Sequence, residues 1–257
     1  MASAGVPRAS EFTAHISQKR GQFRYFDQQL GLPDWSRQTI LDFGGNVGNF
    51  LDDAGSRIRA ERYWCLDIVA EAIEIGRRKH PCAHWIFYDR YNRCYNPRGV
   101  PGLRLPALDQ AFDCMLAYSV FTHIVPSEMQ ELIAGLSSYL TTGGRLAFTF
   151  IDPRHESWPE RPGCSNFQWR LERIKRRGME LAVKDYLTRT RDASWFALVD
   201  DGDDAGIYLE DDIIPARALG RPFHVYHSVA FMRRLFPEGR ILPPVWGETQ
   251  HCCVLSF

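Results

Sequence analysis

The residues whose types and spacing could support chemistry gather in the stretch 42–48, which reads Asp-Phe-Gly-Gly-Asn-Val-Gly. The apolar run Thr39–Phe43 predicts a buried strand, and the residues after Gly48 predict the start of a helix. Glycine lets a ligand approach the backbone closely, and a helix N-terminus offers free N–H groups. The stretch therefore predicts a site for a nucleotide-like ligand, with a plain tight turn as the alternative.

Two carboxylates sharpen this prediction. Asp42 precedes the first glycine and suits a cationic ligand better than a pyrophosphate, because a carboxylate repels phosphates. Asp67 follows the apolar run 63–66, which predicts the second strand of a sheet. An acid at that strand end can accept hydrogen bonds from ribose hydroxyls.

With these residues the sequence resembles the class I S-adenosylmethionine (SAM)-dependent methyltransferases. Their first motif is an acid followed by Gly-x-Gly-x-Gly, and here Asn46 replaces the middle glycine. The segment 119–123, Ser-Val-Phe-Thr-His, resembles the Ser-Val-Phe-x-His run that small-molecule members carry after the fourth strand. The resemblance implies SAM as cofactor, bound by Asp42, Gly44, Gly45, Asn46, Gly48, Asp67, Ile68, Asp89, Tyr118 and Ser119. Asp89 would contact the adenine amino group, unless it only caps its strand.

Histidines after predicted strand ends are candidate general bases, because an imidazole has a pKa near neutrality. His123 is the first candidate, with a structural hydrogen bond as its alternative role. His155 and His227 are further catalytic candidates. No Cys-x-x-Cys pair is present, and no metal site is expected.

The elements that must position these residues alternate between strand and helix from 39 to 151, which predicts an α/β fold. The resemblance implies a doubly wound, seven-stranded, mostly parallel sheet. A predicted helix Tyr226–Phe236 is followed by two strands, Arg240–Leu242 and His251–Leu255. An antiparallel pair of this kind closes the methyltransferase fold and is absent from a six-stranded dinucleotide fold.

The domain boundaries follow from this order of elements. We expect an N-terminal helical cap at 1–37, a SAM-binding α/β core at 38–152 and 222–257, and an inserted substrate-binding lid with a β-hairpin at 153–221. The lid follows the fifth strand and is rich in aromatic residues. The substrate-binding candidates of the cap, lid and core are Tyr25, Phe26, Trp158, Trp195 and Tyr226.

The amino-acid composition restricts the classes of function that this protein can have. The 257 residues are 45% hydrophobic with a formal net charge of zero, which indicates a globular protein without a basic face for nucleic acid. No apolar run could span a membrane, and seven scattered cysteines indicate the reducing cytoplasm. We predict methylation of an aromatic or apolar small molecule of secondary metabolism, oxygen being favoured over nitrogen or carbon as acceptor.

We leave open whether the protein forms a homodimer. The alternatives are an NAD(P)-dependent oxidoreductase and a SAM-binding protein that does not methylate, such as a cyclase-like or regulatory one.

Overall fold

The computed structural model describes residues 21–93, 95–152, 190, 192–199, 206–210, 223–245 and 248–257. Its helices are α1 Gln22–Gln29, α2 Asn49–Ala54, α3 Ala70–Lys79, α4 Pro126–Ser137 and α5 Val229–Leu235. Its strands are β1 Ile40–Phe43, β2 Tyr63–Asp67, β3 His84–Phe87, β4 Phe112–Ala117, β5 Leu140–Phe150, β6 Trp195–Val199, β7 Gly206–Leu209, β8 Phe223–His227, β9 Arg240–Leu242 and β10 His251–Ser256. No helix among these residues is long and apolar enough to cross a membrane.

The strands form a seven-stranded sheet in the order β3-β2-β1-β4-β5-β10-β9 and a three-stranded sheet in the order β7-β6-β8. Strand β1 is parallel to both β2 and β4, and Asp42 lies in register with Cys65 and Leu116. Strands β9 and β10 are antiparallel. This arrangement confirms the predicted fold class, including the closing antiparallel pair.

The described chain divides into two compact units. The first comprises the residues up to Tyr118, 135–146 and Phe257. Here the amphipathic helix α1 turns its aromatic side chains inward, and the ring of Phe23 lies 5.5 Å from that of Trp35 and 5.4 Å from that of Phe50. Burial of such rings stabilises a fold by roughly 1.5–3 kcal/mol each.

The second unit comprises residues 119–134 and 147–256. It contains the three-stranded sheet, in which β6 is antiparallel to both β7 and β8. Strands β6 and β7, which flank the predicted hairpin tip, are antiparallel to each other. Strand β8 lies beyond the predicted end of the insertion and nevertheless pairs with β6.

One predicted boundary was wrong. The helix expected from Tyr226 begins at Val229, because Tyr226 and His227 belong to β8 and the Ser228 side chain caps the helix by accepting from Phe231 N. Strand β5 begins at Leu140 and includes Gly143 and Gly144. Helix α2 begins at Asn49, directly after Gly48 with its left-handed φ of 85°, as expected for a helix that starts after this glycine.

Candidate functional site

The glycine turn alternates between ordinary and left-handed backbone. Gly44 and Gly48 have φ values of 78° and 85°, and Asn46 has a φ of 54°. Asparagine enters this region more readily than other residues with a side chain. Asn46 can therefore replace the middle glycine while keeping a positive φ. Gly45 is fixed for a different reason, since a Cβ there would lie 2.6 Å from the Asp42 carboxyl carbon.

Asp67 ends β2 as a buried carboxylate held by backbone donors. Its Oδ2 accepts from Asn46 N at 2.8 Å, and its Oδ1 accepts from Val69 N at 2.8 Å. Burial raises the pKa of Asp67 to about 6, while these backbone hydrogen bonds act to lower it. A carboxylate held in this way can accept further hydrogen bonds from a ligand, because each oxygen has more than one acceptor site.

Asp42 is also buried, beneath the same turn. Its Oδ2 accepts from the Tyr63 hydroxyl at 2.6 Å. Burial raises the pKa of Asp42 to about 7, with the nearby Asp67 adding to the rise and the Tyr63 hydrogen bond opposing it. Tyr63 was not among the predicted site residues, because only the pairing of β1 with β2 brings its hydroxyl to Asp42.

The other predicted cofactor residues of the first unit lie close to the turn or after β3 and β4. Ile68 packs against the buried cluster of Val47, Val69 and Ala72. Asp89 follows β3, and its Oδ1 accepts from Asn96 Nδ2 at 2.9 Å. Tyr118 follows β4.

The aromatic residues predicted for the substrate mouth in helix α1 are buried. Tyr25 and Phe26 are each 1% exposed. Their rings lie 5.5 and 6.1 Å from that of Tyr118, both in edge-to-face contact. Rings in this arrangement form part of a packed core, so a lid role for them would need α1 to move.

In the second unit, Ser119 has a strained backbone held by two other side chains. Its φ is 60°, which is unusual for a residue other than glycine. Ser119 N donates to Thr149 Oγ1 at 2.6 Å, and the Thr149 hydroxyl donates to Gln250 Oε1 at 2.6 Å. Strained residues held in this way are often functional. A threonine within the apolar strand β5 was the sequence signal that could have identified this chain of contacts.

The histidines of the second unit form a buried group. The ring of His123, in the 3₁₀ turn Phe121–His123, lies 4.3 Å from that of His224 on β8. Both residues are buried. Such a pair of imidazoles could hold and pass a proton.

His227, on the same strand, is completely buried, and burial lowers its pKa to about 3, against the opposing charge of Asp152. Within the described residues neither of its ring nitrogens has a hydrogen-bond partner. Asp152 Oδ2 accepts from Val229 N at 2.8 Å at the start of α5. His227 is therefore neutral at physiological pH.

Two of the substrate candidates lie in the three-stranded sheet. Tyr226 stacks on Phe196 with ring centroids 4.9 Å apart, and Trp195 begins β6 in register with His227. Trp158 and the catalytic candidate His155 lie outside the described residues, as does the tip of the hairpin, 200–205.

The order of the strands in the seven-stranded sheet and the glycine turn after β1 are those of the methyltransferase fold. Residues 41–146 match the family model described as a methyltransferase domain. This match over residues 41–146 agrees with the predicted class and with SAM as the predicted cofactor.

Several solved structures share this fold. A protein from Nostoc punctiforme, provisionally described as an O-methyltransferase, is 11% identical with a TM-score of 0.54; the match covers 98% of this chain and 61% of that protein. SAM-bound CalS10 from Micromonospora echinaspora, an amino pentose methyltransferase of calicheamicin biosynthesis, is 12% identical with a TM-score of 0.52, and the match covers 100% and 99% of the two chains. The glycopeptide N-methyltransferase MtfA in complex with SAM is 10% identical with a TM-score of 0.53, covering 93% and 94%.

The residues of the turn fit SAM. A nucleoside needs an acceptor for its ribose hydroxyls, and Asp67 supplies one at the end of β2. SAM also carries a positive sulfonium, which a nearby carboxyl such as Asp42 favours over phosphate. A positive φ at Gly44, Asn46 and Gly48 keeps this stretch of backbone close to the two acids.

Proposed function

We propose that this protein transfers a methyl group from SAM to a small-molecule acceptor. The sheet order carries the proposal: antiparallel β10 lies between β5 and β9, and that arrangement disfavours the oxidoreductase alternative. An acid at position 42 disfavours a pyrophosphate cofactor as well. Asp42, Gly44, Gly45, Asn46, Gly48, Asp67, Ile68, Asp89, Tyr118 and Ser119 are the proposed cofactor residues.

SAM supplies an electrophilic methyl group on a sulfonium, so the protein has chiefly to align a nucleophile with it. A base is needed only where the nucleophile carries a proton at working pH. We assign that role to His123, whose ring nitrogen would take the proton of a hydroxyl or ammonium group. The adjacent His224 ring would orient it. His227 is a weaker candidate, because its lowered pKa opposes proton uptake.

For the acceptor we favour an aromatic or apolar metabolite methylated on oxygen. The number of aromatic residues in the sequence of the predicted lid supports an apolar ligand. CalS10 belongs to natural-product biosynthesis and MtfA is an N-methyltransferase, so the same proposal admits nitrogen as the acceptor atom. Secondary metabolism, a cytoplasmic location, a small-molecule partner without nucleic acid or membrane, and the domain boundaries remain predictions.

The test is calorimetric titration of the purified protein with SAM, S-adenosylhomocysteine (SAH) and NAD. We expect saturable binding of the first two and none of NAD. Incubation with labelled SAM and a panel of phenols, amines and amino sugars would then identify the acceptor. Binding of NAD alone would overturn the proposal. Binding of SAM without any methylated product would favour a cyclase-like or regulatory protein.

A further inference from the structure

Ser119, the second residue after β4, has a backbone conformation that its side chain opposes. Its φ of 60° lies in the left-handed region, where the Cβ of an L residue crowds the carbonyl oxygen that follows. Gly44 and Gly48 adopt positive φ values without this crowding. A serine stays in such a conformation only where its surroundings hold it there.

The backbone N–H of Ser119 is held through two buried side chains. Ser119 N donates to Thr149 Oγ1 at 2.6 Å, and the Thr149 hydroxyl donates to Gln250 Oε1 at 2.6 Å. Thr149 is completely buried on β5, and Gln250 is buried directly before β10. A hydroxyl carries a single proton, so its donation to Gln250 leaves the oxygen lone pairs for Ser119 N–H. Gln250 thus fixes the orientation in which Thr149 accepts.

The carbonyl group of Ser119 is held from within the same turn. Thr122 Oγ1 donates to Ser119 O at 2.9 Å and lies 3.2 Å from Ser119 Oγ. The turn also packs on β5, since the ring of Phe121 lies 5.1 Å from that of Phe148. The N–H and the carbonyl group of Ser119 therefore both have hydroxyl partners, which the observed conformation satisfies together.

The conformation at position 119 sets the path of the chain that follows it. The chain continues into the 3₁₀ turn Phe121–His123, which carries the proposed base. Ser119 itself is one of the proposed cofactor residues. Two groups that the proposed function needs thus depend on one strained residue.

We propose that Thr149 and Gln250 are positioning residues for the cofactor site. Their role is indirect: they keep Ser119 at a positive φ, in the conformation that binds the cofactor. Where fewer molecules hold the binding conformation, the apparent affinity for the ligand falls by the same factor. The inference rests on the proposed function, because it takes SAM or SAH as the ligand of Ser119.

The experiment measures the affinity for SAH by calorimetric titration of Thr149→Val, which removes the hydroxyl and keeps the shape of the side chain. We expect the dissociation constant to rise by about 10-fold, because Ser119 N–H loses its partner and nothing offsets the strain. Thr149→Ser keeps the hydroxyl and should restore the affinity to within about 2-fold of the wild type. Gln250→Leu leaves the hydroxyl but removes its acceptor, and should raise the dissociation constant by about 3-fold.

Ser119→Gly tests whether Thr149 acts through the conformation of Ser119. Glycine adopts a positive φ without strain, so in this background Thr149→Val should raise the dissociation constant by only about 3-fold or less. A merely structural role for Thr149 would lower the free energy of unfolding and leave the affinity of the folded protein unchanged. Each variant is therefore titrated at a temperature at which urea denaturation shows it to be folded.

Thr141→Val is the matched control, because it is the same substitution on the same strand. The Thr141 hydroxyl donates to Asp113 Oδ1 at 3.1 Å, so its removal should lower the free energy of unfolding and leave the affinity for SAH unchanged. Wild-type affinity in Thr149→Val would overturn the inference, and so would an equal loss with and without Ser119→Gly. Should Thr149→Val not fold, wild-type affinity in Gln250→Leu would overturn it. Failure of the wild type to bind SAH would instead overturn the proposed function.

Discussion

The carboxylates of the glycine turn and the histidines of the second unit show two ways of burying an ionisable group. Asp42 and Asp67 receive hydrogen bonds from Tyr63, Asn46 and Val69. Burial raises their pKa values to about 7 and 6, so both carboxyl groups titrate near neutral pH. His227 receives no such bond within the described residues, and its pKa falls to about 3.

This difference indicates different tasks. Donors supplied to a buried carboxyl compensate part of the cost of its charge, and the group can respond to a cationic or hydroxyl-bearing ligand. An imidazole buried without donors or acceptors stays neutral. Among the histidines, His123 is thus distinguished by its partner ring at His224 rather than by burial. The following predictions would sharpen or break this contrast.

The largest expected effect is on the turnover number kcat, when His123 is replaced. His123→Ala should lower kcat by about 100-fold or more with an acceptor that carries a proton, because general-base catalysis contributes that much. The KM for SAM should change little. Steady-state assays with the acceptor identified in the screen would measure both constants, and added imidazole should restore part of kcat.

His84→Ala is the control, since His84 lies on β3 in the first unit and stacks on Trp64. A His123→Ala enzyme with full kcat, or one that imidazole does not rescue, would leave His123 as a structural residue.

A substitution of Asp67 tests whether the carboxylates of the glycine turn bind the cofactor. Asp67→Ala should weaken SAM and SAH binding by roughly 30–100-fold, because the ribose hydroxyls lose a charged acceptor. Calorimetric titration measures the loss. Glu71→Ala, an exposed change in the first turn of α3, should leave the affinity unaltered. Wild-type affinity in Asp67→Ala would contradict the assigned site.

The buried Asp42 should make the free energy of unfolding fall as the pH rises. Its folded-state pKa of about 7 exceeds the ordinary 3.8, so the stability present below pH 3.8 is lost as pH rises towards 7. Asp42→Asn abolishes this loss. The free energy of unfolding of the variant relative to wild type should therefore increase by about 1.4 kcal/mol between pH 6 and 8, as urea denaturation would measure. A difference that does not vary with pH would mean that Asp42 is not the buried acid that titrates.

His227 should show a pH dependence of the opposite sign. Its folded-state pKa of about 3 lies below the ordinary 6.5, so the stability present above pH 6.5 is lost as pH falls. Methionine does not titrate. The free energy of unfolding of His227→Met relative to wild type should therefore increase by about 1.4 kcal/mol as the pH falls from 7.5 to 5.5. A difference in free energy of unfolding that stays constant across this pH range would show that His227 takes up its proton in the folded state as readily as in the unfolded state.

The geometry of the glycine turn could be predicted from sequence, because its signals are local. Gly44 and Gly48 mark a turn, and Asp67 ends an apolar strand. Asn46 replaces the middle glycine of the family motif and has a positive φ of 54°. That these residues bind a cofactor stays a prediction. Serine is a common helix cap, so Ser228 was a signal for the true start of α5. The predicted helix nevertheless began at Tyr226, because the apolar pattern of α5 continues into the end of strand β8.

The order of strands and helices, the glycine turn and the closing antiparallel pair were determined by the sequence itself, because periodicity and turn residues act over a few positions. Tertiary structure decided the partners and ionisation of the site. The bond from Tyr63 to Asp42 joins residues 21 positions apart, and that from Thr149 to Gln250 joins residues 101 apart. Burial and distant donors set a pKa, and both exist only once the sheet has brought separate strands together.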